Sequence, residues 1–144
     1  MTIIIFVKSK MFILYMSCLF NSLSYFIPES SHDIRQKICD YLQENKPIIQ
    51  DLDTQFILSF EKPNYIENMR LHHEWGGAIE IQSACNIWNL KITVKNYRNN
   101  DKIGNNVGNN TNIEFIPVTY STNIDYKKIE LEWTGGHYEP VKNM

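Results

Sequence analysis

Apolar positions repeat with a helical period in the first half of the chain and with a strand period in the second. Over Cys18–Phe26, Leu19, Phe20, Leu23 and Phe26 fall at helical spacing, and Pro28 closes the segment. Ser30, three residues ahead of Asp33, has the character of a capping-box start. The run at 33–45 then places Ile34, Ile38, Tyr41 and Leu42 on one helical face. Arg35, Lys37, Asp40 and Glu44 fall away from that face, with Cys39 beside it as a small core filler. Residues 47–62 fit two patterns: Phe56, Leu58 and Phe60 alternate, yet the segment also suits a helix packed on its neighbours. Pro63-Asn64 opens a short helix predicted over 65–71, with Glu67 as its capping acid. Trp75-Gly76-Gly77 interrupts the chain, and helical spacing resumes over Ala78–Trp88 through Ile81, Ala84, Cys85 and Trp88, with Asn86 and Asn89 at its far end.

From there the period becomes two. Leu90, Ile92 and Val94 alternate with Lys91, Thr93 and Lys95, a strand with one wet face. Residues 99–112 (NNDKIGNNVGNNTN) have little to bury and are predicted as a loop. A second strand is expected over 113–120, pushed to a sheet edge by Pro117. Ile129, Leu131 and Trp133 alternate with Glu130 and Glu132 as a third strand. A Gly135-Gly136 turn and a short extended piece at 137–141 follow. Helices first and strands second predict an α+β domain with a small sheet.

At 144 residues the chain suits one domain with a real core. Its 14 basic and 16 acidic side chains exclude a polyanion binder working by bulk charge. No basic–aromatic interleaving points to nucleic acid. Three cysteines without a C-x-x-C pair argue against a disulfide scaffold and a structural zinc site, and favour a reducing, cytoplasmic setting. Residues 1–12 are poorly determined by pattern, and the domain is placed at 13–144. Lys8 and Lys10 ahead of the apolar run at 11–14 loosely follow the order of a signal peptide. The lysines also divide the apolar stretch, so no run reaches the roughly 18–20 residues of a membrane span. An entry strand at 3–7 or 12–15 is the competing expectation.

The candidate chemistry is that of a cysteine nucleophile. It needs a thiolate, a histidine to take the proton, and a group that orients the histidine. Cys18 stands at a helix start, where backbone N–H groups and the helix dipole favour a thiolate and could hold an oxyanion. His137 follows the Gly-Gly turn. Glu139, two residues on in an extended segment, points to the same side and can fix the imidazole tautomer. His72-His73-Glu74 lacks the spacing of a metal site, so neither a metal nor a cofactor is expected. His32, near a helix start, is expected in solvent, Trp88 and Trp133 in the core, and Tyr138 as packing behind the histidine.

Five blocks in order carry a resemblance: CLFNSLS at 18–24, IRQKICDYL at 34–42, YIENM at 65–69, EWGGAIEIQSACNIWNLKITV at 74–94 and GGHYEPV at 135–141. Together they resemble the ovarian-tumour (OTU) domain, a family of papain-like cysteine proteases, over roughly residues 15–142. The resemblance implies a papain-like fold with a small mixed or antiparallel sheet flanked by helices. It implies Cys18 as nucleophile, His137 as general base and Glu139 as the orienting group, where the family usually has Asp or Asn. Trp75, Gly76 and Gly77 would line the substrate cleft. The implied activity is hydrolysis of the isopeptide bond after the C-terminus of ubiquitin or a ubiquitin-like modifier, in polyubiquitin chains among others, by a monomer. Tyr15-Met16 stand where the family has Asp-Gly. That departure makes a catalytically impaired, ubiquitin-binding relative the alternative, and an exported or membrane-anchored small protein the third.

Overall fold

The computed structural model describes residues 17–97 and 111–142. Five helices precede or flank a four-stranded sheet among them: α1 Cys18–Phe26, α2 Ser31–Gln43, α3 Thr54–Leu58, α4 Tyr65–Met69 and α5 Ala78–Trp88. The strands are β1 Leu90–Asn96, β2 Thr111–Phe115, β3 Lys127–Trp133 and β4 Tyr138–Pro140. Their order is β2-β1-β3-β4. β1 pairs antiparallel with β2 and parallel with β3, and β3 pairs antiparallel with β4, so the sheet is mixed. A parallel β1–β3 pair requires a crossover. The segment between β2 and β3 makes it beside α5, where Asn86 Oδ1 accepts from Val118 N–H at 2.7 Å and Gln82 donates to the Ile116 carbonyl at 2.7 Å.

The alternating patterns place the core. Leu90, Ile92 and Val94 of β1 and Ile129 and Leu131 of β3 turn inward to meet Ile81, Ala84 and Cys85 of α5. Ile34, Ile38, Cys39 and Leu42 of α2 close the other side over Leu19, Phe20 and Leu23 of α1. Each buried Leu, Ile or Phe contributes about 1.5–3 kcal/mol. Trp88 and Trp133 are partly buried against this core, and His32 is exposed. Ser30 caps α2 by accepting from Asp33 N–H at 3.1 Å, as its sequence position predicts.

Several expectations are corrected. Arg35 does not lie away from the core: it is buried, at 1% exposure. Of the two patterns left open for 47–62, residues 54–58 take the helical one, with Phe56 and Phe60 edge-to-face at 5.0 Å and both exposed. Asn64 precedes α4 in the left-handed region (φ 60°) and makes no side-chain capping bond, so the capping box centred on Glu67 does not form. Thr111 and Asn112, expected in a loop, begin β2 and pair with Asn96 and Lys95. β2 ends before Pro117 and is an edge strand. The segment at 1–12, the entry strands, Tyr15-Met16 and the loop at 99–110 lie outside the described residues. No helix among those described is long and apolar enough to cross a membrane.

Candidate active site

Cys18 is the first residue of α1 and is 4% exposed. A helix start leaves backbone N–H groups without intrahelical partners, and Ser17 does not cap them with its side chain. Ser17 Oγ instead donates to the His72 carbonyl at 3.4 Å. Burial pushes the Cys18 thiol above its ordinary range. The Tyr138, Leu19 and Cys18 N–H groups pull in the other direction but do not overcome it. The helix-start N–H groups pull the thiol toward the thiolate as expected, desolvation outweighs them, and the chemistry calls for a base to take the proton. Cys39 and Cys85, both in the core, are pushed up to about 12 by burial.

The candidate base, His137, lies toward the other end of the chain. β3 and β4 form a hairpin closed by Thr134 N–H donating to the His137 carbonyl at 3.2 Å. Gly135 at its tip has φ 101°, a conformation that only glycine takes without strain. The hairpin delivers Tyr138 beside α1, where its N–H donates to Cys18 Sγ at 3.3 Å. By standard bond lengths this puts the sulfur within roughly 6 Å of the His137 Cα. Tyr138 itself stacks on Trp133, ring centroids 6.1 Å apart, which holds the strand behind the histidine. His137 Nε2 and Glu139 Oε1 are 3.2 Å apart. The extended backbone turns residues two apart to one side. The other ring nitrogen, Nδ1, is turned inward out of solvent. Glu139 is exposed, unlike the buried carboxylate of many such triads.

Of Trp75, Gly76 and Gly77, Gly76 packs against the start of α1. A Cβ at Gly76 would stand 2.7 Å from Leu19 Cδ2 and 3.0 Å from Phe20 Cζ, so only a glycine permits this approach. A Cβ at Gly77 would meet nothing within 4 Å. Trp75 is 40% exposed and, with Gly77, borders a groove of about 330 Å³ floored by Met69 and Glu80.

Two buried charged side chains flank this wall. The Arg35 guanidinium donates to the Met69 carbonyl at 2.8 Å, the Glu74 carbonyl at 3.0 Å, and the His72 carbonyl and Ser17 Oγ at 3.4 Å each. It lies 4.1 Å over the Phe20 ring. Glu80, 1% exposed, accepts from Gly77 N–H at 2.7 Å and from the Tyr65 hydroxyl at 2.6 Å. Gly77 has no side chain, so only this half of a capping box exists. Desolvation raises the Glu80 carboxyl to about 7 against these hydrogen bonds. The pattern reading gave neither residue a role. For Arg35 a signal was present: Arg35, Ile38, Cys39 and Leu42 follow i, i+3, i+4, i+7 and share a helix face. Glu80, three residues after Gly77, stands at the acid position of a capping box.

A family model described as OTU-like cysteine protease matches residues 17–138, from the residue before Cys18 to the residue after His137. The chain belongs to the OTU-like cysteine protease family. Solved OTU domains share its fold. The viral OTU domain protease from Dera Ghazi Khan virus is 22% identical with a TM-score of 0.61, over 89% of this chain and 75% of that one. An OTU deubiquitinase from Wolbachia pipientis wMel, bound to ubiquitin, is 17% identical with a TM-score of 0.58, over 89% and 90%. An OTU domain in complex with ubiquitin is 23% identical with a TM-score of 0.60, over 86% and 62%. No curated protein matches the chain by sequence. In this OTU domain the described residues bring Cys18, the His137–Glu139 pair and the Trp75–Gly77 wall to one region around the start of α1. They bring no three His, Cys, Asp or Glu side chains into a metal-binding group. His72 instead faces His32, ring centroids 5.6 Å apart.

Proposed function

We propose that this OTU domain is a thiol hydrolase that cleaves the isopeptide bond after the C-terminal glycine of ubiquitin or a ubiquitin-like modifier. The observation that carries the proposal is the hydrogen bond from Tyr138 N–H to Cys18 Sγ across 120 residues of chain, which brings the backbone of the neighbouring His137 within roughly 6 Å of the sulfur. With Nε2 engaged by Glu139, Nδ1 is the nitrogen that takes the thiol proton. The sulfur then attacks the carbonyl carbon, and the oxyanion develops toward the N–H groups at the start of α1. Collapse breaks the C–N bond. The imidazolium proton goes to the departing lysine amine, leaving a thioester on Cys18. Water, giving its proton to His137, attacks the thioester and frees the carboxylate and the thiol. The groove bordered by Trp75 and Gly77 is the seat proposed for a Gly-Gly tail. Ubiquitin in complex with two solved relatives supports the choice of substrate.

The test is a ubiquitin probe with a C-terminal electrophile, read by mass spectrometry. One adduct, located at Cys18, is the expected result. An intact, folded protein without any adduct would overturn the proposal. The burial that holds the proton on Cys18 favours a second reading, a domain that binds ubiquitin with little turnover. Saturable ubiquitin binding without an adduct would select that reading.

A further inference from the structure

Trp75 and Gly76 form a two-residue bridge between two buried charged groups. On one side Arg35 holds the carbonyls of Met69, His72 and Glu74, and reaches Ser17 Oγ immediately before Cys18. On the other, Glu80 holds Gly77 N–H and is itself held by the Tyr65 hydroxyl. Arg35 and Glu80 are the two ionisable side chains among the buried polar groups of the described residues. They form no direct ion pair; each influences the other through space and bonds the backbone instead. Burying a charge is costly unless it is fully hydrogen-bonded. A frame that puts both charges on backbone groups either side of two cleft residues fixes those residues against small displacements. Phe20, clamped between the guanidinium and Gly76, joins the frame to α1.

We infer that Arg35 and Glu80 are positioning residues that hold the Trp75-Gly76 segment against Leu19 and Phe20 of α1, and so shape the channel proposed to lead to Cys18. The inference rests on the reading of that channel as the seat of a Gly-Gly tail. Neither residue touches the tail. Each acts through the backbone it holds, so loss of either lets the wall shift while the Tyr138 N–H bond to the sulfur stays in place. A guanidinium fork reaches several carbonyls at once and an ammonium does not, so Lys restores part of the frame. Gln at 80 retains an oxygen for Gly77 N–H.

The experiment compares Arg35→Met, Arg35→Lys, Glu80→Ala and Glu80→Gln with the unaltered chain by three measurements. These are amide hydrogen exchange over residues 72–77, the rate of Cys18 alkylation by iodoacetamide, and the rate of Cys18 labelling by a ubiquitin C-terminal electrophile. Arg35→Met and Glu80→Ala should raise exchange at 72–77 on the order of 10-fold, leave β1 and β3 amides unchanged, and lower probe labelling by about 10- to 100-fold. Iodoacetamide, too small to need the channel, should react within about threefold of the unaltered rate. Arg35→Lys should fall between, and Glu80→Gln should lie close to the unaltered chain. Exchange that rises evenly through the core, equal losses with both reagents, or a Glu80→Gln variant as impaired as Glu80→Ala would overturn the inference. Where Arg35→Met fails to fold, the contrast between the two Glu80 variants decides. An unaltered chain that iodoacetamide modifies and the ubiquitin probe does not would overturn the ubiquitin reading instead, and the exchange data then judge the frame alone.

Discussion

Gly76→Ala is the sharpest perturbation of the cleft, because the structure fixes what the added methyl meets. Its Cβ would lie 2.7 Å from Leu19 Cδ2, with Phe20 Cζ at 3.0 Å and Phe20 Cε2 at 3.1 Å. Carbon atoms prefer about 3.5–4.0 Å, so the shortfall to the leucine is roughly 1 Å. Leu19 and Phe20 are 1% and 0% exposed, and the Phe20 ring lies under the Arg35 guanidinium. Both side chains are in the core, so relief means that they repack. Overpacking at such a site costs about 1–3 kcal/mol, which for a domain of this size lowers Tm by roughly 3–8 °C. The alternative relief is a shift of the wall or of α1 by up to roughly 1 Å. A displacement of that size lowers labelling of Cys18 by a ubiquitin electrophile on the order of 100-fold. Gly77→Ser is the control. Its Cβ has open space, serine is a favoured helix N-cap, and its hydroxyl would complete the capping box with Glu80. It should change stability by no more than about 0.5 kcal/mol. Urea melts and labelling rates of both variants provide the measurement. Gly76→Ala with unaltered stability and labelling would show that the wall does not press on α1, and the proposed channel geometry would be wrong.

Further expectations follow from the same geometry. Cys18→Ala should abolish adduct formation and hydrolysis while the circular-dichroism spectrum is retained, and Cys39→Ala and Cys85→Ala should keep the activity. Turnover by Cys18→Ala, with loss in either of the others, would move the nucleophile. Glu139→Gln should lower turnover of a fluorogenic ubiquitin substrate about 10- to 1000-fold, because the amide keeps a hydrogen bond to His137 but not the charge that supports an imidazolium. Unchanged kinetics would mean that another group orients the ring. Glu80 makes stability depend on pH. Tyr65, Gly77 N–H and Arg35 face it, with Cys39 and Tyr138 nearby, and desolvation still holds its folded-state value at about 7 against an ordinary 4.5. Between those values the folded chain binds more protons than the unfolded one, so its contribution falls as pH rises and levels off above pH 7. Glu80→Gln lacks this term, so urea melts at pH 5 and pH 8 should show the unaltered chain losing about 3 kcal/mol relative to the variant. Parallel pH dependence in the two proteins would refute it.

The chain's periodicities determined its elements. Three-and-four spacing delimited α1 and α5 to the residue, and two-residue alternation in 90–95 and 129–133 marked the two central strands with their buried faces. These are local properties: a side chain's direction in a helix or strand is fixed by backbone geometry alone. The His137–Glu139 pair was legible for the same reason, since both lie in one extended segment. Cys18 stood out by its place at a helix start, and the family resemblance added its role and the Trp75–Gly77 wall. Residues without a strong period, such as 54–58, were not legible, because a five-residue helix depends on its neighbours for stability. The pairing of β1 with β3 across an intervening strand joins residues more than thirty positions apart, and only the folded chain decided it. Tertiary structure also decided how far the Cys18 thiol is buried. A helix start favours a thiolate, but the sheet and α2 packed around α1 remove water from the sulfur, and desolvation is the larger effect. The same burial gave Arg35 its role. By sequence it is a charged residue on a helix, and only the backbone carbonyls of 69–74, brought to it by folding, make an interior position tolerable for its charge.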